Sequence, residues 1–261
     1  MAIKYDKIGI GYNRTRKADH YLSERLYHHL DPKEKGSYLD IGCGTGNYSN
    51  ALFEKGVHFI GIDPSEKMLQ KARSKNANID WRLASAEKTK LHDNSVDGII
   101  ATLTTHHWKN LNKAFCELSR ILKRHGRIVI FTSTPKQMQG YWLRHYFPKM
   151  LSDSIAQMPT LEKTITAMVE AGLEIIDTEK YFVRPDLEDQ FLYCGKQDPK
   201  LYLQKETRNG ISSFSSLANS QEVSQGLLRL QADIESGNID TIMRSYENDL
   251  GDYLFIIGQL K

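Results

Sequence analysis

The chain has 261 residues, a formal net charge of +3 and a hydrophobic content of 40%. This length suits one α/β domain with an elaborated cap, and no apolar run approaches the roughly 18 residues that a membrane helix needs. The low charge, without a basic stripe interleaved with aromatic residues, argues against a nucleic-acid-binding protein. The three widely spaced cysteines offer neither a disulfide framework nor a zinc pattern, and the first residues lack an apolar signal segment, so we expect a cytoplasmic protein without a metal.

The first half of the chain alternates predicted strands and helices. Residues 5–17 are expected to form a mobile arm, after which Asp19 can cap a helix that ends at Asp31. Predicted strands follow at 37–41, 57–62, 80–84, 96–103 and 127–132. Helices are predicted after the first, second and fourth of these strands, the last one stopping at Gly126 with a cluster of cations at its end. This rhythm favours a doubly wound parallel sheet with right-handed crossovers.

The second half interrupts that rhythm twice. Residues 137–159, rich in aromatic side chains and Met, and residues 186–220 are predicted to be irregular. Tyr141, Trp142 and Tyr146 of the first segment either line an apolar pocket or are simply packed in the cap. Between them lie a helix capped by Thr160 and a predicted strand at 174–183. A further helix ends at Gly237, and the last predicted strand covers 253–260.

A glycine-rich turn follows the first predicted strand, in the sequence DIGCGTG. Glycine removes the Cβ and permits positive φ, so a ligand can lie on bare main chain there. The NAD fingerprint GxGxxG requires a third glycine where this chain has Asn47, which weakens a dinucleotide site. Asp63, at the end of the second strand, lies at the distance expected of a carboxylate that binds ribose hydroxyls. An alternative role for Asp63 is to cap the next helix, but Ser65 suits that role better.

Four segments in order, DIGCGTG, IGIDPSEKML, SAEKTKLHDNSVDGII and TTHHW, resemble the class I S-adenosylmethionine (AdoMet)-dependent methyltransferases, in particular the small-molecule (type 11) branch with a His-His pair after strand four. Residues 201–214 resemble a segment of uncharacterised bacterial methyltransferases labelled as antibiotic-biosynthesis enzymes. The resemblance implies a Rossmann-like seven-stranded sheet whose last strand is antiparallel between strands five and six. It also implies one methyltransferase domain over 1–261, with an arm and helix at 1–30, an AdoMet-binding half at 31–135, and lid insertions at 136–160 and 185–250.

The resemblance also implies a set of AdoMet contacts. The glycines would bring main chain against the ribose and methionine portions, although they also suit an empty tight turn. Met68 is as well suited to the core as to adenine, and Ser85 replaces the Asp usual in the family. Arg16 would pair with the AdoMet carboxylate, or belong to an exposed arm. The implied cofactor-binding residues are Tyr12, Arg16, Asp40, Gly42, Gly44, Gly46, Asp63, Pro64, Met68, Ser85, Ala86, Glu87, Thr102 and Leu103.

His106 and His107 are the candidate catalytic residues. A neutral imidazole can take a proton from an attacking hydroxyl, amine or acid, although one of the pair can serve only in packing or capping. The expected reaction is in-line displacement at the AdoMet methyl group by a small-molecule O, N, C or S nucleophile. A tRNA-modifying methyltransferase and a non-catalytic AdoMet- or nucleotide-binding regulator remain alternatives. Arg208 and Ser212 either bind an anionic substrate or tie the lid to the sheet.

Overall fold

A computed structural model of the protein describes residues 15–261, so Tyr12 and the rest of the expected arm through residue 14 lie outside the described residues. Its central feature is a seven-stranded sheet in the order β3-β2-β1-β4-β5-β7-β6. β7 is antiparallel to both of its neighbours, and the pairs from β3 to β5 are parallel, so the predicted fold class is confirmed. The strands are β1 Ser37–Ile41, β2 His58–Asp63, β3 Asp80–Leu83, β4 Val96–Thr102, β5 Leu122–Thr132, β6 Leu173–Tyr181 and β7 Tyr253–Leu260.

Helices cover the sheet, and several begin at the caps that the sequence predicts. Asp19 accepts a hydrogen bond from Leu22 N at 2.7 Å at the start of the first helix, and Ser65 and Thr160 cap two others. The helices are α1 His20–Leu30, α2 Asn47–Phe53, α3 Glu66–Lys75, α4 Leu111–Ile121, α5 Pro135–Gln139, α6 Pro148–Ala156, α7 Leu161–Glu170, α8 Lys205–Gly210, α9 Ser212–Ser216, α10 Ser220–Ser236 and α11 Ile239–Ser245. Short 3-10 turns occupy Thr105–His107, Trp142–His145, Cys194–Lys196 and Pro199–Leu203.

Two apolar cores lie on opposite faces of the sheet, because successive strand residues point to opposite sides. Ile100 and Val129 belong to the core that includes Leu22 and Leu26 of α1. Their neighbours along the same strands, among them Ile99 and Ile128, belong to the core that contains buried residues of α4 and α7. The sheet is therefore buried on both faces, as its nearly continuous apolar strands predict.

Two predictions about local structure were wrong. Helix α4 ends at Ile121 rather than near Gly126, because Leu122 pairs with Val96 at the start of β5. Of the predicted cluster of cations, Arg120 does lie in the last turn of the helix, whereas Lys123 lies on β5 and forms an ion pair of 2.8 Å with Asp97. The two segments predicted to be irregular contain α5, α6, α8 and α9, and α11 was not predicted at all. These elements are short and amphipathic signals over five to nine residues are weak, so tertiary packing decides them.

Candidate functional site

One cavity opens at the carboxyl ends of β1, β2 and β4, the edge at which open α/β sheets bind ligands. Its volume of about 160 Å³ is more than ten times the space needed for one water molecule. We call two groups of its lining residues the cofactor end and the acceptor end, after the ligands that the sequence resemblance implies for them. The cofactor end comprises Arg16, Asp40, Gly42, Cys43, Gly44, Thr45, Asn47, Tyr48, Asp63, Met68, Thr102, Leu103, Thr104 and Asp189. The acceptor end comprises Ser133, Met138, Tyr141, Ser154, Gln157, Met158, Phe191, Leu192, Ile211, Ser212, Ser213, Leu217 and Tyr253.

The glycine turn is held open by main-chain geometry. Gly42 has φ +74° and Gly44 has φ +56°, and the amides of Gly42 and Cys43 donate to the carbonyl of Ile62 at 2.7 and 3.0 Å. A Cβ on Gly42 would lie 2.0 Å from Thr104 Oγ1, whereas a Cβ on Gly44 would meet no atom within 4 Å. The main chain at Gly44 thus borders open space, which is the cradle that the sequence predicts for a ligand.

Gly46, the third glycine of the turn, lies against a tryptophan rather than in the cavity wall. It is not among the residues that line the cavity, and its Cβ would lie 2.4 Å from the ring of Trp81. Trp81 also lies against Gly61, where a Cβ would be 2.2 Å from the ring. The third glycine is therefore required by the packing of an indole beneath the turn. The sequence alone gave no signal for this pairing, because Trp81 lies on another strand.

Asp63 fixes the glycine turn from the neighbouring strand. One carboxylate oxygen accepts from Gly44 N at 2.9 Å and the other from Ser65 N at 2.8 Å, and burial raises the pKa of this carboxyl group. Each oxygen has a second acceptor position, so the group can still receive ribose hydroxyls from the cavity side. The helix-capping role belongs to Ser65, as expected.

Asp40 is a second buried carboxyl group at the same end. It accepts from Ser49 Oγ at 2.5 Å, and burial raises its pKa to about 7 despite that hydrogen bond. The nearby negative charge of Asp63 contributes to this rise. A carboxyl group held in this state gains its charge readily when a cation enters the cavity.

Arg16 lies in the cavity wall and is paired within the protein. Its Nε and Nη2 donate to the two oxygens of Asp189 at 2.5 and 3.1 Å, and Tyr48 OH donates to Asp189 at 3.0 Å. Asn47 Nδ2 also donates to the Arg16 carbonyl at 2.9 Å. The sequence did not reveal Asp189, which lies 173 residues away along the chain. Its buried carboxylate orients the guanidinium that was predicted to meet the AdoMet carboxylate.

The remaining cofactor predictions divide into two groups. Met68, Thr102 and Leu103 line the cavity, and Thr102 Oγ1 is buried without a hydrogen-bond partner among residues 15–261. Glu87 instead accepts from the amides of Lys109 and Asn110 at 2.6 and 3.3 Å, which fixes the chain after β4. The predicted residues that do not line the cavity are Gly46, Pro64, Ser85, Ala86 and Glu87.

His106 and His107 both line the cavity from the 3-10 turn after β4. Their ring centroids lie 3.8 Å apart, and His107 N donates to Thr104 O at 2.9 Å. The 3-10 turn therefore begins directly after Thr104, the residue whose side chain lies against Gly42. This arrangement brings the imidazoles to the same cavity as the glycine turn, as the sequence predicts.

The acceptor end is largely a product of the tertiary structure. Of the aromatic residues predicted to line a pocket, Tyr141 does so and Trp142 and Tyr146 are packed elsewhere in the core. Tyr141 stacks on Tyr193 with centroids 3.9 Å apart, and burial raises the pKa of its phenol well above 10. Ser154 Oγ and Ser213 Oγ lie 2.5 Å apart although 59 residues separate them in sequence. No sequence pattern linked these hydroxyl groups.

No group of three or more His, Cys, Asp or Glu side chains in residues 15–261 is placed to hold a metal ion. Over the same range, no helix is both long enough and apolar enough to span a membrane.

Comparisons with known proteins identify methyltransferases as proteins similar to this chain. The family model described as "Methyltransferase domain" matches residues 39–130. A crystal structure from Anabaena variabilis, named "Putative methyltransferase from antibiotic biosynthesis pathway", is 35% identical with a TM-score of 0.84. The match covers 94% of this chain and 99% of that one.

Two curated relatives are more distant. A demethylmenaquinone methyltransferase from Tropheryma whipplei is 27% identical over 66% of this chain and 76% of its own length. A malonyl-[acyl-carrier protein] O-methyltransferase from Erwinia pyrifoliae is 30% identical over 54% of this chain, and the match spans about half of that relative, 55%.

Proposed function

Since the chain belongs to the class I AdoMet-dependent methyltransferases, an enzyme family that uses AdoMet as its cofactor, we propose that it methylates a small-molecule acceptor bound at the acceptor end of the cavity. The observation that carries this proposal is the continuity of the cavity. The same enclosed space is lined by the glycine turn, by the His106–His107 turn and by residues of 136–160 and 185–250. We assign those two segments as the lid of one methyltransferase domain.

The residues at the cofactor end fit AdoMet in three respects. The open space beside Gly44 accepts a ligand on bare main chain, and Asp63 retains acceptor positions for ribose hydroxyls. Asp40 offers a buried carboxyl group to the ligand's ammonium, and Arg16 offers a guanidinium to its carboxylate. Thr102 Oγ1, which has no protein partner among residues 15–261, supplies a further donor or acceptor.

Bound AdoMet supplies a methyl group on a sulfonium that is already activated for displacement. The protein therefore contributes mainly by placing the acceptor in line and by excluding water, which contribute much of the barrier lowering in such reactions. His106 and His107 accept a proton when the acceptor's nucleophilic atom carries one. Tyr141 does not serve as a base, because its raised pKa keeps the phenol protonated.

Two further facts support a small acceptor. The curated relatives named above act on demethylmenaquinone and on a malonyl group carried by a protein. The chain's net charge of +3 is small for a protein that must neutralise many phosphates of tRNA.

A binding experiment tests the cofactor assignment and separates it from the alternatives. Titration of the protein with AdoMet, S-adenosylhomocysteine and NAD should show micromolar binding of the first two and none of NAD. A screen of small metabolites and of tRNA for transfer of a labelled methyl group then distinguishes the acceptor classes. Labelling of tRNA without labelling of any metabolite would overturn the proposal, and binding without any transfer would favour a regulator.

The role of the His pair is tested on the acceptor found by that screen. Replacing His106 and His107 together with Ala should lower kcat by about 100-fold, a usual contribution of one general base. The matched control is Lys17→Ala, since Lys17 is exposed and does not line the cavity. Unchanged turnover in the double variant would remove the assignment.

A further inference from the structure

The acceptor end has no ionised side chain among the described residues that line it. Its lining combines apolar side chains such as Met138, Met158, Ile211 and Leu217 with hydroxyl groups and one carboxamide, Gln157. Apart from the His pair, the tyrosines and Cys43, the ionisable residues that line the cavity are Arg16, Asp40, Asp63 and Asp189. Arg16 is the one Lys or Arg side chain of residues 15–261 in the cavity wall, and this scarcity of positive charge indicates what kind of acceptor the cavity can take.

The one cation of the cavity wall, within residues 15–261, is already balanced. Arg16 forms two hydrogen bonds to Asp189, whose side chain is 1% exposed. The proposed function already assigns this guanidinium to the AdoMet carboxylate, so it is not available to a further anion. An anionic acceptor would therefore compete with Asp189 and with the AdoMet carboxylate for a single guanidinium.

No Lys or Arg of the described lid segments lines the cavity, and two of these cations are engaged elsewhere. Arg208, which the sequence offered as a ligand for an anionic substrate, donates to the Tyr202 carbonyl at 2.6 Å and does not line the cavity. Lys196 lies 2.7 Å from Asp252 in an ion pair. Arg208 is thus not placed to bind a substrate in the cavity, and this contact lies within the lid rather than between the lid and the sheet. Ser212, the other residue of that prediction, does line the cavity.

The polar groups that remain at the acceptor end are neutral. Ser154 and Ser213 share a buried hydrogen bond of 2.5 Å, and Ser133 Oγ lies 2.9 Å from Tyr141 OH. Hydroxyl groups both donate and accept, so they match a hydroxyl or carbonyl group on an otherwise apolar ligand. They do not repay the desolvation of a carboxylate or phosphate, which requires a paired charge.

From these contacts we propose that the acceptor is a neutral molecule with an apolar body and a hydroxyl or carbonyl group, and that carboxylates and phosphates are excluded. This inference rests on the proposed function, because it assigns the acceptor class of the same cavity. It separates this chain from an enzyme for a malonyl group, which carries a free carboxylate.

Matched pairs of probes test the inference. With the protein saturated in S-adenosylhomocysteine at pH 7.5, calorimetry compares 2-naphthol with 2-naphthoate and 1-octanol with octanoate. In each pair the apolar bodies are similar, and the anion carries a carboxylate in place of the neutral hydroxyl group. We expect the neutral probe to bind at least tenfold more tightly. Equal or tighter binding of the anions, or no binding of either neutral probe up to its solubility limit, would overturn the inference.

A variant that adds a cation locates the effect at the acceptor end. Met158→Lys places an ammonium group there, so 2-naphthoate should gain affinity and the tenfold preference should shrink or reverse. Lys17→Ala is the control outside the cavity, and its preference should match that of the unmodified protein. An unchanged preference in Met158→Lys would contradict the assignment of the probe site. S-adenosylhomocysteine is titrated first, so that failure of this inference can be distinguished from failure of the proposed function. A protein that does not bind S-adenosylhomocysteine would refute the proposed function rather than the acceptor class.

Discussion

The two ends of the cavity are built in different ways. The cofactor end consists largely of main chain and buried carboxyl groups, most of them from residues 40–68, which are close in sequence. The acceptor end consists of side chains from segments as far apart as Ser133 and Tyr253. A cofactor that does not vary within the family can be met by fixed backbone geometry, whereas the acceptor is met by side chains, which can be exchanged without changing the fold.

The difference extends to electrostatics. Asp40, Asp63 and the Arg16–Asp189 pair create a charged environment suited to a ligand that carries an ammonium, a carboxylate and a sulfonium. The acceptor end offers only neutral hydroxyl and amide groups beside apolar surface. Substitutions at the two ends should therefore affect AdoMet and acceptor separately, and the following variants test that separation.

The largest effect is expected from Gly42→Ala. The residue has φ +74°, which costs a non-glycine residue about 1–2 kcal/mol, and its Cβ would also lie 2.0 Å from Thr104 Oγ1. Strain and clash together should weaken AdoMet binding by about 100-fold or more, at 1.4 kcal/mol for each factor of ten. Calorimetric titration measures the effect. Gly56→Ala, with φ +86° and open space around its Cβ, is the control for strain alone and should lower stability while AdoMet binding is retained.

A smaller effect is expected from Asp189→Asn. Loss of the carboxylate charge leaves Arg16 without its buried partner and frees its orientation, so AdoMet affinity should fall by about tenfold. Tyr48→Phe is the matched control, since it removes one hydrogen bond to Asp189 but keeps both bonds to Arg16. If the two variants lose affinity equally, Asp189 does not act through the guanidinium. A melting curve of each variant separates loss of binding from loss of fold.

The pH dependence of AdoMet binding should reflect Asp40. Its pKa is about 7 in the folded protein against 3.8 ordinarily, so the folded state holds a proton that the unfolded chain releases. The free energy of unfolding without ligand should therefore fall as pH rises from about 4 to about 7. A bound cation favours the ionised carboxylate, so AdoMet affinity should rise about fivefold between pH 6 and pH 8. Asp40→Asn should abolish this rise, and a rise that persists in the variant would exclude Asp40 as its source.

The smallest effect is expected from Ser154→Ala at the acceptor end. Removing one hydroxyl group of the buried Ser154–Ser213 pair should raise KM for the acceptor by about threefold, the value of one neutral hydrogen bond, and leave the AdoMet dissociation constant unchanged. Steady-state kinetics with each substrate varied in turn provides the measurement. An equal change in both constants would show that the two ends are not separable.

Much of the cofactor end was predictable from the sequence. The glycine turn after β1, Asp63 after β2 and the His pair after β4 all follow their strands directly, and parallel strands bring their carboxyl ends to one edge of the sheet. Because each of these residues directly follows its strand, the sequence was sufficient to predict that they meet at this edge of the sheet. Strand β7 was also predicted with its observed bounds, Tyr253–Leu260, since its apolar run ends the sequence.

Only the tertiary structure decided the remainder. Trp81 against Gly46, Asp189 on Arg16 and Ser154 beside Ser213 are contacts between segments that no local pattern connects. Helices α5, α8 and α9 of the lid are five or six residues long and depend on packing for their stability, so periodicity did not reveal them. The fold and the identity of the cofactor were thus predictable from the sequence, because they depend on the order of the strands and on glycines that permit positive φ. The acceptor end depends on side-chain contacts across the whole chain, and these exist only once it has folded.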